Sequence, residues 1–304
     1  MNDRTKYIGG SDCAGILGLS RWTTPLQIWG QKTGNILEKD ISDKIYVKLG
    51  NKLEDIVAEM FCEKIGKKVR RVNETIFHEK YNFIGANIDR RVVGEDTILE
   101  CKTCSAWKAK EWEGEEIPKE YILQVLHYLA VTGASMAYIA VLIGNQRFAY
   151  KAVKRNEKLI SQIINKEVSF WNNFVEKNEM PMIITKNDAD ALYELFPLAE
   201  PESEIQLADN AAQLFETRQS LLSDKKHIVG LLEKTDNEIK ALLKDKEIGK
   251  VGNWIATWKE QISKRLDTKE IRENYPDICN KFLKETKSRF LRVIEIKKTE
   301  ETKK

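Results

Sequence analysis

The stretch GANIDRRVVGEDTILECKT, residues 85–103, limits the fold of this chain more than any other. It reads as two strands joined at Gly94-Glu95, where the leading glycine suits a two-residue hairpin turn. The resulting register puts Val93 opposite Asp96 and Asp89 opposite Glu100. Residues facing each other across a strand pair stand about 4.5–5.5 Å apart at their side-chain roots, so two carboxylates there repel. Strand side chains alternate with period two, which places Lys102 on the same face and turns Cys101 to the other, beside Ile88. A hairpin that gathers two acids and a lysine at one point spends stability on something other than folding.

The rest of the chain supplies the layers for such a hairpin. YIGGSDCAGILG and TTPLQIWGQKTG read as two short capped helices, and DKIYVKLGNKLEDIVAEMFCEKIG as a longer amphipathic one. ETIFH, FIGANIDRRV, TILECKT, MAYIAVLIG and RFAYKAVKR have strand composition, and the apolar helix KEYILQVLHYLAVTG separates the third from the fourth. The expected class is α/β (α+β), with a mixed central sheet flanked by helices over residues 1–200. Over 204–247 the pattern changes to one long helix with Leu207, Leu214, Leu221, Ile228 and Leu242 at heptad spacing. The companion positions Ala211, Arg218, Lys225, Leu232 and Ile239 are mixed, so the seam suits either a coiled coil or packing on a neighbouring surface. Residues 249–304 read as a small α+β unit in which VGNWIATWKEQ and SRFLRVIEIKK pair around the helix TKEIRENYPDICNKFLKET.

Charge sets the partner classes. The 50 Lys and Arg against 47 Asp and Glu give +3, so no polyanion partner is announced by the whole chain. From Lys259 onward, 14 basic against 9 acidic residues leave a local excess of 5. Five scattered cysteines, an N-terminus without an apolar leader, and the lack of any apolar run near the ~20 residues of a membrane span point to a soluble protein of the reducing cytoplasm.

A divalent cation resolves the acidic hairpin, because Mg²⁺ prefers hard oxygen ligands and often takes one or two carboxylates. Asp89 and Glu100 supply them, and Lys102 then lies beside an activated water or a scissile phosphate as a point charge. A surface ion pair of three solvated side chains is the alternative, and such pairs are worth little. On the helix after Gly50, Leu49, Leu53, Ile56, Val57, Met60 and Phe61 make an apolar face with Glu54 at its border. Gln124 sits in the stripe Tyr121, Gln124, Tyr128 of a helix apolar around most of its girth, where a buried amide needs partners. An edge-exposed Glu54 and a Gln124 satisfied by backbone remain open.

The ordered set Glu54, Asp89, Glu100-Cys101-Lys102 and Gln124 resembles the PD-(D/E)XK nuclease superfamily. Within it, YIGGSDCAGILGLS, TPLQIWGQKTG, GNKLED, ANIDR, LECKT and QVLHYLAVTGA are similar to the YqaJ branch, the phage-type recombination exonucleases related to lambda exonuclease. The resemblance runs from about Arg4 to about Pro181. The usual proline before the aspartate is Ile88 here, a departure this branch tolerates. The resemblance implies a restriction-endonuclease-like core and a metal-dependent exonuclease that hydrolyses phosphodiesters of linear duplex DNA from the 5′ end, leaving 3′ overhangs. Asp89, Glu100 and the backbone carbonyl of Cys101 would hold Mg²⁺ or Mn²⁺, two ions per site. Lys102 would orient water and stabilise the transition state, and Glu54 and Gln124 would complete the site. Arg4 and Ser11 have the family's spacing for a 5′-phosphate anchor, and Ser11 also reads as an ordinary helix cap. Duplex ends, a single-strand annealing protein and a homo-trimer are the implied partners. A structure-specific or nicking endonuclease on the same core, and a DNA-binding or assembly module without catalysis, are the competing functions.

The remaining motifs carry less. Cys101 and Cys104 form C-x-x-C, yet Cys13, Cys62 and Cys279 complete no four-cysteine set, so no iron–sulfur cluster is expected. His78, His127 and His227 stand apart in sequence. Trp22, Trp29, Trp107 and Trp112 are candidates for stacking on bases, with core packing the better reading of Trp29. Lys108 and Lys110 are within reach of phosphates if their helix faces DNA.

Overall fold

Helix punctuation in the first third follows local chemistry. The computed structural model describes residues 3–285 and 289–294. After a short 3₁₀ turn at Arg4–Lys6 comes α1 (Gly10–Ile16), then α2 (Pro25–Thr33). Thr24 caps α2 by accepting from the Gln27 N–H, Pro25 occupies its first turn, and Gly34 ends it at φ 76°. Helix α3 (Ile45–Ile65) stops at Gly66, φ 73°. Its buried face is Val57, Ala58 and Phe61, whereas Leu49 and Ile56, expected in the core, are exposed.

Next come β1 (Val69–Arg71), β2 (Ile76–Phe77), β3 (Gly85–Ala86), β4 (Arg90–Val92) and β5 (Thr97–Cys104). They are followed by α4 (Lys119–Thr132), β6 (Met136–Ile143), β7 (Arg147–Lys154), α5 (Glu157–Phe170) and α6 (Asp188–Leu195). The five-stranded sheet has the order β1-β4-β5-β6-β7. Only β5 and β6 are parallel, joined by the α4 crossover, so the sheet is mixed. The expected strand FIGANIDRRV divides: β3 pairs with β2 in a separate ribbon, and β4 joins the main sheet. Strand β1 escaped the sequence reading, because VRR carries no apolar alternation.

Alternation along β5 sorts its side chains onto two cores. Ile98 and Cys104 face a cluster with Val125, Leu129, Ile139 and Ile163, under α4 and α5. Leu99 and Cys101 face Val57, Phe61 and Tyr138, under α3. Ile88 belongs to the first cluster and Cys101 packs against the second, so they are not the neighbours the register implied. The reason is that the ladder stops at Arg90 opposite Leu99, and the chain leaves the pleat before Ile88.

The chain divides after Pro197 into two compact units. The second holds α7 (Ala211–Leu243), β8 (Ile248–Val251), β9 (Trp254–Thr257), α8 (Thr268–Asn274) and α9 (Pro276–Phe282). Helix α7 is shorter at both ends than 204–247. Asp209-Asn210 favours a turn before it, and Lys244 at φ 54° leaves helical space after it. β8 and β9 form a tight hairpin around Gly252-Asn253, so the strand in VGNWIATW pairs with Ile248–Val251 just before it rather than with SRFLRVIEIKK. Residues 289–294 of the expected partner strand are irregular, and its remaining residues lie outside the described ones.

Candidate active site

The hairpin turn has the expected glycine geometry, with Gly94 at φ 81°. The observed pairs Arg90–Leu99 and Arg91–Ile98 have the register that, continued by one residue, sets Asp89 against Glu100. Asp89 does not continue the ladder. Its Oδ2 accepts the Cys101 N–H at 2.7 Å, a side chain standing in for a backbone partner. That bond turns the Asp89 carboxylate into the sheet beside Glu100.

Glu100 is almost wholly buried. Its Oε1 receives the Gln124 amide at 2.9 Å and lies 2.6 Å from Lys102 Nζ. Its Oε2 is buried with no hydrogen-bond partner. The same Gln124 amide nitrogen also donates to the Tyr128 hydroxyl at 2.9 Å, so α4 presents a fixed amide to the sheet. Lys102 lies over the Tyr121 ring, 5.2 Å from its centroid. Burial and the neighbouring Glu100 push the Asp89 carboxyl up to about 8, with Glu54 adding to the rise. Burial opposes the charge on Lys102, but Glu100 and Asp89 outweigh it and hold the ammonium above its usual range.

Glu54 stands on α3, as the helical wheel implied, and is engaged by cations. Arg90, nearly buried, meets Glu54 at 2.5 Å, also binds Asp55, and donates to the Asp89 carbonyl at 2.7 Å. Arg71 reaches both acids as well, at 3.2 and 2.9 Å. Sequence reasoning missed Arg90, although an arginine directly after the metal-type aspartate, with Glu54-Asp55 nearby, is the signal that would have found it.

The second group lies at the N-terminus. Arg4 donates to the Ser11 hydroxyl at 3.0 Å and approaches Asp12 at 3.4 Å. Asp12 also accepts the Gly9 N–H at 2.9 Å and the Lys32 ammonium at 2.7 Å, and Lys32 in turn donates to the Arg4 carbonyl at 2.8 Å. Burial works against the Asp12 carboxylate, yet Lys32 and Arg4 hold it below its ordinary value. Asp12 and Lys32 were not read from the sequence. They are the frame of Arg4: one acid shared by two cations from different elements. One cavity of about 670 Å³ is lined by Arg4, Ser11, Glu54, Asp89 and Arg90, joining the two groups.

His127 is fully buried rather than isolated. Its Nε2 donates to the Gly85 carbonyl at 2.9 Å and its Nδ1 lies 2.8 Å from Glu167 of α5. Burial lowers its basicity, but Glu167 outweighs burial and raises it above the ordinary imidazole value. The Cys13 sulfur lies within 4.8 Å of this pair, with its thiol pushed up by burial. Trp29 is core, whereas Trp22 and Trp107 are exposed.

Comparison with known proteins fits this architecture. The family model of the YqaJ-like viral recombinase domain matches residues 1–135. The YqaJ protein of Bacillus subtilis (strain 168) is 42% identical over 299 residues, spanning 97% of this chain and 93% of that protein. The alkaline exonuclease LHK-Exo from Laribacter hongkongensis shares the fold at TM-score 0.50 and 18% identity, over 58% of this chain and 91% of its own. Its complex with dAMP gives the same TM-score and coverage at 20% identity. The likeness over nearly the full length to YqaJ, with the matching domain at its start, places this chain in the YqaJ-like viral recombinase family.

Proposed function

We propose that this chain is a metal-dependent DNA exonuclease acting on linear duplex from the 5′-phosphorylated end. The observation that carries the reading is the cavity lined by the Asp89 and Glu54 carboxylates together with the hydrogen-bonded pair Arg4 and Ser11. A divalent ion fits the acids. Glu100 Oε2 is a buried oxygen without a partner, and burial together with Glu100 holds the Asp89 carboxyl well above its ordinary range. Both are hard donors of the kind Mg²⁺ and Mn²⁺ select. Asp89, Glu100 and the Cys101 carbonyl would hold the ion or ions, which would supply an activated water and a counter-charge to the negative charge that develops on the phosphoryl oxygens.

The protein's own groups do the rest. Lys102, fixed by Glu100 and the Tyr121 face, places a positive charge where a phosphoryl oxygen gains negative charge. Gln124 keeps Glu100 Oε1 occupied, which leaves Oε2 for the ion. Glu54, steadied by Arg90, borders the site. Arg4 and Ser11 take the terminal 5′-phosphate. Water oxygen bonds to the next phosphorus along, the P–O3′ bond breaks, and the terminal nucleotide departs with the proton on its new 3′-hydroxyl. The shortened strand again ends in a 5′-phosphate, which Arg4 and Ser11 can hold anew. A 3′ single strand accumulates, a substrate for a single-strand annealing protein.

The deciding experiment is digestion, with Mg²⁺, of a linear duplex carrying a 5′-phosphate on one strand only, beside a closed circle of equal length. Shortening of the phosphorylated strand with the circle intact is expected. Cutting of the circle supports an endonuclease on the same core, and binding without nucleotide release supports a DNA-binding module.

A further inference from the structure

Helix α7 presents an exposed apolar heptad face, and the charged residues on that face bear on what could cover it. Leu214, Leu221, Ile228, Leu232 and Leu242 are all more than half exposed. At 33 residues the helix spans nearly five heptads, beyond the three or four that a coiled coil needs. A helix with this much apolar surface in water, and with Gly230 in its interior, draws its stability from what packs on it.

The two inward rows are Ala211, Arg218, Lys225, Leu232, Ile239 and Leu214, Leu221, Ile228, Thr235, Leu242. In a parallel pair of identical helices each residue meets its own copy. Arg218 would then stack on Arg218 and Lys225 on Lys225, two like-charge layers in the first half of the seam. An antiparallel pair joins the first row to the second instead. The register that overlaps the whole helix sets Leu214 against Ile239, Leu221 against Leu232, and Ala211 against Leu242. Arg218 then faces Thr235 of the second copy, with Asp236 and Glu238 of that copy beside it. Lys225 lies against Ile228 with its ammonium free to reach water. Both like-charge layers disappear, and the apolar residues of each half meet those of the other.

We propose that α7 is a self-association element, pairing antiparallel with α7 of a second copy of this chain. The pairing is independent of the nuclease reading, since it uses no residue of the first unit.

The test uses the full chain. Leu221→Cys and Leu232→Cys variants, differing in size tag, are expressed separately and together, then oxidised mildly beside the wild type as background. The antiparallel pair gives a mixed 221–232 cross-link on co-expression and none above background from either variant alone. Light scattering should show the mass falling by half in Leu221→Asp, at a side chain 62% exposed among the described residues. Self-cross-links from single variants would show a parallel pair and overturn the proposal. A wild type that is monomeric, or a mass unchanged by Leu221→Asp, would also overturn it and leave the seam to a different protein.

Discussion

The two units solve the problem of charge and apolar surface in opposite ways. In the first, charged groups sit inside: Glu100, Arg90, Glu120, His127 and Glu167 are all buried, most with a partner at hydrogen-bond distance. In the second, Leu243 is the one buried residue among those described, and large apolar side chains of α7 and the β8–β9 hairpin face water. Buried polar groups are costly unless satisfied, and a fold keeps them where their geometry is needed. Exposed apolar stripes are instead surfaces awaiting contact. The first unit thus keeps charged groups in fixed positions in its interior, and the second leaves its apolar ones outside.

The largest effects should come from the buried acids. Asp89→Ala and Lys102→Ala should each reduce hydrolysis by about a thousandfold or more, with the fold retained by circular dichroism. Only Asp89→Ala should weaken Mn²⁺ binding in calorimetry. Near-normal rates in either folded variant would dissolve the contrast, because the first unit would then bury its acids to no catalytic end. The pH dependence has a definite sign. Asp89 binds its proton more tightly folded than unfolded, so metal-free protein loses stability as pH rises from about 4 through about 8. Asp89→Asn should therefore melt above the metal-free wild type at pH 9, and Mg²⁺ should raise the wild type alone.

Breaking the His127–Glu167 pair comes next. Glu167→Gln removes the carboxylate that faces the buried His127 ring and should cost about 3–5 kcal/mol below neutral pH, the size of breaking a buried pair, read as a fall in melting temperature. The folded His127 holds its proton above the ordinary value. The pair's contribution is therefore full below about pH 6.5 and fades as pH rises through the higher folded value, so the gap between variant and wild type should narrow in alkali.

The anchor effects are smaller. Arg4→Ala should erase a preference of about tenfold for 5′-phosphoryl over 5′-hydroxyl ends, the size of a charge-assisted contact. Asp12→Asn, which keeps the arginine but loosens its frame, should reduce that preference without abolishing it. Equal rates of the wild type on both ends would remove the anchor and leave the acids.

Substitutions at exposed positions of the second unit outside α7 should scarcely move stability. Ile262→Ala, at a site 86% exposed, should stay within about 0.5 kcal/mol in denaturant melts. Truncation after Pro197 should leave metal binding and cutting of short duplex intact while changing the mass in solution and weakening hold on long duplex. A truncated chain that loses the short-duplex reaction would show the units to be less separate in function than in packing.

The hairpin, its register and the gathering of Glu100 and Lys102 on one face were legible from sequence. Gly94 fixed the turn, period two put Glu100 and Lys102 on one face, and the apolar girth of α4 forced Gln124 to find buried partners. These are local rules, acting within a few residues or one element. Tertiary structure alone decided how elements distant in sequence share charge. Arg90 of β4 clamps Glu54 and Asp55 of α3, Lys32 reaches Asp12 and Arg4 from α2, and His127 meets Glu167 from α5. A single aspartate or histidine looks alike in sequence whether solvated or paired, because pairing depends on which elements pack together. The end of the β4–β5 ladder at Arg90 was hidden for the same reason, since Asp89 leaves the pleat to accept the Cys101 N–H and stand beside Glu100.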